Sequence, residues 1–98
     1  MTGRGSLTIG CSRDDVCRVL AEAAAATWTG RGGTVLSIVD WPEQAASWLR
    51  QARRFVDGEP DAWLVIARPG GWAGMRDRLL RSTDWDPART VAMHPDSA

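Results

Sequence analysis

Cys11, Cys17 and His94 are the two thiols and the single imidazole of this chain, so any nucleophilic or metal chemistry has few residues to draw on. Cys11 follows a short extended segment and precedes a helix start, where backbone N–H groups and the helix dipole favour a thiolate. That placement suits phosphoryl-transfer or redox chemistry. A loop that wraps a phosphate with a thiolate and a guanidinium, however, needs one residue fewer than the six that separate Cys11 from Arg18, and Asp14 and Asp15 put negative charge where the phosphate would sit. An incidental small residue in a loop is the simpler reading of Cys11. Cys17, one turn into the helix, reads as a packed small hydrophobe. Two cysteines and one histidine are too few for a disulfide framework or a four-ligand zinc site, and a triad or Cys-His pair would have to be built on His94 alone. The sequence predicts no acidic or thiol residue held beside His94, which therefore reads as a solvated loop histidine. No catalytic residue, metal or cofactor is assigned.

The glycine groups and tryptophans are the other candidates. Gly30-Arg31-Gly32-Gly33 precedes a strand and so lacks the helix N-terminus that attracts phosphate. Arg68-Pro69-Gly70-Gly71-Trp72 does follow a strand and open a helix, but it matches neither G-x-G-x-x-G nor a Walker A loop, and a tight turn explains it equally well. Of six Trp residues, Trp48 and Trp63 fall on core-facing stripes, while Trp28 at a helix end and Trp85 in a turn suit edge packing. Trp41 and Trp72 are expected in loops beside the candidate site. Arg50, Arg53 and Arg54 lie on an outer helix face and read as a solvated charge run.

Two alternating periodicities set the elements that position these residues. Residues 6–10 have apolar positions at spacing two, the mark of a strand. Ser12 suits an N-cap, with Asp14 and Asp15 in the first turn of a helix. Its apolar stripe is Val16, Val19, Leu20, Ala23 and Ala26 or Thr27, and Gly30, Gly32 and Gly33 end it. Residues 34–39 are β-branched and nearly all apolar, as in a strand covered on both faces. Asp40-Trp41-Pro42 closes that strand, with Pro42 at the first position of a second helix whose stripe is Ala45, Trp48, Leu49, Ala52, Phe55 and Val56. Residues 62–67 form a third strand, Trp72, Met75, Leu79 and Leu80 mark a third helix, and residues 90–93 form a short last strand after the Asp84-Trp85-Asp86-Pro87 turn.

The resulting β-α-β-α-β-α-β order predicts a three-layer α/β sandwich: a four-stranded, mostly parallel sheet with three helices, flavodoxin-like or half-Rossmann. Ninety-eight residues make one domain, with the ordered core over 6–94. In such a sheet ligands bind at the carboxyl ends of the strands. The expected ligand-binding residues are therefore Cys11, Ser12, Arg13, Trp41, Arg68, Gly70, Gly71, Trp72 and His94.

Composition excludes classes more than it selects one. Twelve Arg and no Lys balance twelve acidic residues, so the net charge is zero. That removes the electrostatic case for nucleic acid or an anionic membrane surface. No apolar run is long enough to span a bilayer. The first ten residues do not make a signal peptide, so the chain as written reads as cytoplasmic, and as extracytoplasmic only if it is a fragment of a longer exported protein.

The order of short motifs resembles one lobe, the second, of the type 1 periplasmic-binding-protein fold of Leu/Ile/Val-type solute receptors. It rests on Asp14-Asp15-Val16, Arg18-Val19-Leu20-Ala21-Glu22-Ala23, Gly32-Gly33-Thr34-Val35, Val39-Asp40-Trp41-Pro42, Ala46-Ser47-Trp48-Leu49 and Glu59-Pro60-Asp61-Ala62-Trp63-Leu64-Val65, within residues 7–93. The resemblance implies a non-catalytic domain that binds an amino-acid-like small molecule or a protein partner. Because that family clamps ligand between two lobes, it also implies a second lobe or a second copy as partner. A bound carboxylate would sit on helix-start N–H groups, with Trp41 or Trp72 as an apolar wall and Arg68 as its charge partner. The alternatives are a thiol enzyme using Cys11 and an interaction module of a signalling system.

Overall fold

A computed structural model describes residues 5–95. The elements follow in the order β1 (Ser6–Ser12), α1 (Asp15–Gly30), β2 (Thr34–Trp41), α2 (Leu49–Val56), β3 (Ala62–Ile66), α3 (Pro69–Ser82), a 3-10 turn (Pro87–Arg89) and β4 (Thr90–Met93). All strand pairs are parallel and the sheet order is β2-β1-β3-β4. This is the expected flavodoxin-like α/β sandwich. Right-handed crossovers then fix the layers: the step from β1 to β2 puts α1 on one face, and the steps in the opposite direction put α2 and α3 together on the other.

The α2/α3 face holds the larger core, built from Val39, Trp41, Ala52, Phe55, Trp63, Val65, Met75, Leu79 and Trp85 with Trp48 and Trp72 packed against it. Its centre is aromatic. Trp41 stacks on Trp72 at 5.8 Å and meets Phe55 edge-on at 6.0 Å, Phe55 stacks on Trp63 at 6.1 Å, and Trp72 meets Trp85 edge-on at 5.9 Å. Gly10 lies beneath this cluster. A Cβ there would stand 2.4 Å from the Trp41 ring and 2.7 Å from that of Phe55, so only glycine lets the rings lie on β1. The α1 face has a smaller core of Ile9, Cys11, Cys17 and Ala21, with Leu7, Ala24, Ala25, Val35, Ile38 and Leu64 around it.

Several local expectations are corrected. The buried side of α1 is Cys17 and Ala21, whereas Val16, Val19 and Leu20 are 51%, 62% and 39% exposed. The helix has two apolar sides, and the small residues face the sheet because they allow the closer approach. β2 is an edge strand, with Thr34 and Leu36 exposed, and is not covered on both faces. Ser12 ends β1, and the N-cap of α1 is Asp14, whose Oδ1 accepts the Cys17 N–H at 2.9 Å. Trp41 is the last residue of β2 and Trp72 lies inside α3, so neither is a loop residue.

The second helix starts at Leu49, seven residues beyond the expected Pro42. Tertiary bonds hold the intervening segment out of helical form: the Trp48 Nε1–H donates to the Pro42 carbonyl at 3.0 Å, and the Glu43 carboxylate reaches across to α3. Pro69 instead occupies the favoured first turn of α3, with Gly70 and Gly71 within that helix. Among the described residues, no helix is long and apolar enough to cross a membrane.

Candidate functional site

The carboxyl ends of β1, β2 and β3 bring most of the expected residues together, but the protein's own side chains occupy the positions a ligand would take. The Ser12 hydroxyl, fully buried, donates to Glu43 Oε2 at 2.9 Å and accepts the Arg68 backbone N–H at 2.8 Å. The other carboxylate oxygen of Glu43 accepts the Gly71 N–H at 3.1 Å, in the first turn of α3. This is the anion position of a helix N-terminus, filled from within. Gly71 makes the approach possible, because a Cβ there would lie 2.6 Å from Glu43 Oε2.

The start of α1 is satisfied in the same way. Asp14 caps it and also accepts from Arg68 Nε at 2.9 Å. The Arg68 hydrogen bond, then the Cys17 N–H, hold the Asp14 carboxyl down at about 2, from an ordinary 3.8. On β2, Asp40 pairs with Arg13 at 2.9 Å and with Arg18. Burial pushes the Asp40 pKa up, but the two guanidinium hydrogen bonds outweigh it and hold the carboxyl below its usual range. Arg68, expected as the charge partner of a ligand, and Arg13, expected among the ligand-binding residues, are thus both engaged with acidic side chains of the chain itself.

Cys11 is fully buried in the α1-side core. Burial, then the nearby Asp40 carboxylate, push its pKa up to about 11 from 9.0. At neutral pH this keeps the thiol protonated, the opposite of what a nucleophile needs. The Cys17 thiol is also pushed up, chiefly by burial. Trp41 is fully buried and Trp72 half-buried on it, so these rings form core and not the wall of an open cleft. Gly70 is exposed at the α3 start and Gly71 buried under Glu43. Among the described residues no group of three or more His, Cys, Asp or Glu is placed to hold a metal ion.

His94 is separate from this cluster. It lies, half-buried, with Pro95, Met93, Leu64, Ile66, Leu20 and Ala24 around an apolar groove of about 340 Å³. The groove runs between α1 and β4. Register explains it: Leu64 pairs with Val91 and Ile66 with Met93, so all four side chains share the α1 face, yet α1 stands over β1 and β2. Val91 and Met93 are 61% and 49% exposed there.

The acid that organises the edge, Glu43, was not among the expected residues. Its partners are 28 and 31 residues away, and the only local sign is a glycine in the facing helix turn. Compared with known protein families, curated sequences and solved structures, the chain matches none.

Proposed function

We propose that this chain is a non-catalytic binding domain whose partner is a protein and not a small solute. The observation that carries this reading is the Glu43 carboxylate on the first turn of α3. An amino-acid-like ligand would have to displace it, breaking its bonds to Gly71 and Ser12, and would find Arg13 and Arg68 already paired. The raised pKa of Cys11 argues in the same direction against a thiol enzyme. The likeness to a solute-receptor lobe supports binding without catalysis and a second body to complete the unit. The apolar flank of α1 and β4 offers a surface for one, since exposed contiguous apolar patches on small domains mark interaction sites.

A thermal-shift screen with amino acids and small carboxylates tests this. The expected result is no change in Tm, because the anion positions are internally filled. A rise of several degrees with one solute would overturn the protein-partner reading and restore the small-molecule one. Iodoacetamide labelling of Cys11 separates the remaining alternative: modification is expected only as fast as the domain opens, whereas rapid labelling of the folded chain at neutral pH would establish a reactive thiol.

A further inference from the structure

The partner can be specified further. Resting on the protein-partner reading above, we propose that the α1/β4 flank is a self-association surface on which a second copy of this chain docks about a twofold axis.

Charge points to this occupant first. With about 100° between successive residues of a helix, Asp15, Arg18 and Glu22 all fall on the flank of α1 turned toward β2, where Arg18 meets Asp40. The opposite flank and the crest carry Val16, Val19, Leu20 and Ala23. A partner with a charged rim would find no counter-charge on these residues. An identical copy brings none, and the zero net charge of the chain adds no long-range repulsion.

Area points the same way. Val16, Val19, Leu20, Val91 and Met93 are 39–62% exposed and adjoin the groove, giving an apolar patch on the order of 500 Å², as large as the largest on a typical monomer. Two such faces together bury about 1,000 Å², the lower limit of a specific interface. An interface at this limit belongs to a weak, reversible dimer.

Shape completes the case. A twofold interface requires a surface complementary to itself. Here an apolar crest, Val16 and Val19 on α1, stands beside an apolar groove floored by Leu64, Ile66 and Met93. In a twofold arrangement the crest of each copy enters the groove of the other. The partner's α1 would then lie over β4, where this face of the sheet is exposed.

Sedimentation equilibrium of the whole chain, at roughly 1 µM and roughly 500 µM protein, tests the proposal. The expected mass rises with concentration from 10.7 kDa toward twice that value. Val19→Lys and Met93→Lys are each expected to raise the dissociation constant at least about tenfold. Leu80→Lys, a control at an exposed leucine on the opposite face, is expected to leave it unchanged; circular dichroism verifies that all three variants are folded. A chain that stays at the monomer mass throughout overturns the second-copy proposal, as does a dimer that both Lys variants leave intact. Neither result touches the ligand screen, on which the protein-partner reading itself stands or falls.

Discussion

On the α2/α3 side of the sheet two helices cover β1, β3 and the end of β2, and five tryptophans fill the space beneath them. On the α1 side one helix lies close on β1 and β2 through Cys17 and Ala21, and the apolar residues of β4 beside it, Val91 and Met93, are left open. The same strands serve both faces: Trp63 and Val65 point into the first, Leu64 and Ile66 toward the second. The difference therefore lies in what covers the sheet. The closed face stabilises the fold, and the open one is surface that the fold does not use.

The sharpest way to break this comparison is Trp41→Ala. It removes the ring that joins Phe55 to Trp72 over Gly10 and is expected to cost about 3–5 kcal/mol in urea unfolding; a loss below about 1 kcal/mol would mean that the aromatic cluster is not the centre of stability. Next comes Glu43→Ala, which strips the acceptor from the Ser12 hydroxyl and the Gly71 N–H. It is expected to cost about 1–3 kcal/mol and to speed amide exchange at the start of α3.

Acid is expected to act more weakly, through Asp14. Its carboxyl is held at about 2 in the folded chain against an ordinary 3.8, so the unfolded chain takes up the proton first. Stabilisation is fully present above pH 4 and is lost as pH falls toward 2, by on the order of 1 kcal/mol for a pair partly screened by solvent. Urea midpoints measured across this range should show the loss, and Asp14→Asn should reduce it. The smallest effect belongs to the open face. Val19→Lys at sub-micromolar protein is expected to change stability by less than about 0.5 kcal/mol, and a loss like that of Trp41→Ala would erase the distinction between the two faces.

The fold was legible because the chain switches cleanly between spacings of two and of three to four, and because short connections between strands force parallel crossovers. The rotation of α1 was not. Val16-Val19-Leu20 and Cys17-Ala21-Ala24 are both apolar stripes, and hydrophobicity cannot choose between them. Side-chain size and the anchoring of Arg18 and Asp14 to distant residues decide. The start of α2 was misplaced for a related reason: Pro42 carries a local helix signal, but Trp48 and Glu43 tie the following segment to partners that no local window contains. Topology alone places Ser12, Arg13 and Arg68 at one edge of the sheet, and there the structure has them. That their charges would be answered from within depended on Glu43, Asp14 and Asp40, whose pairing exists only in three dimensions.

The placement of the tryptophans has an optical consequence. Trp41, Trp48, Trp63, Trp72 and Trp85 belong to the closed face, whereas Trp28 packs at the end of α1, its Nε1–H on the Gly5 carbonyl. Intrinsic emission thus reports almost wholly from one side of the molecule, and rings about 6 Å apart will exchange excitation with one another. A fluorescence melt follows chiefly the α2/α3 layer, and from α1 and β4 only Trp28 reports. An event on the open flank that leaves Trp28 undisturbed would be spectroscopically silent unless a dye or an added tryptophan is placed there to see it.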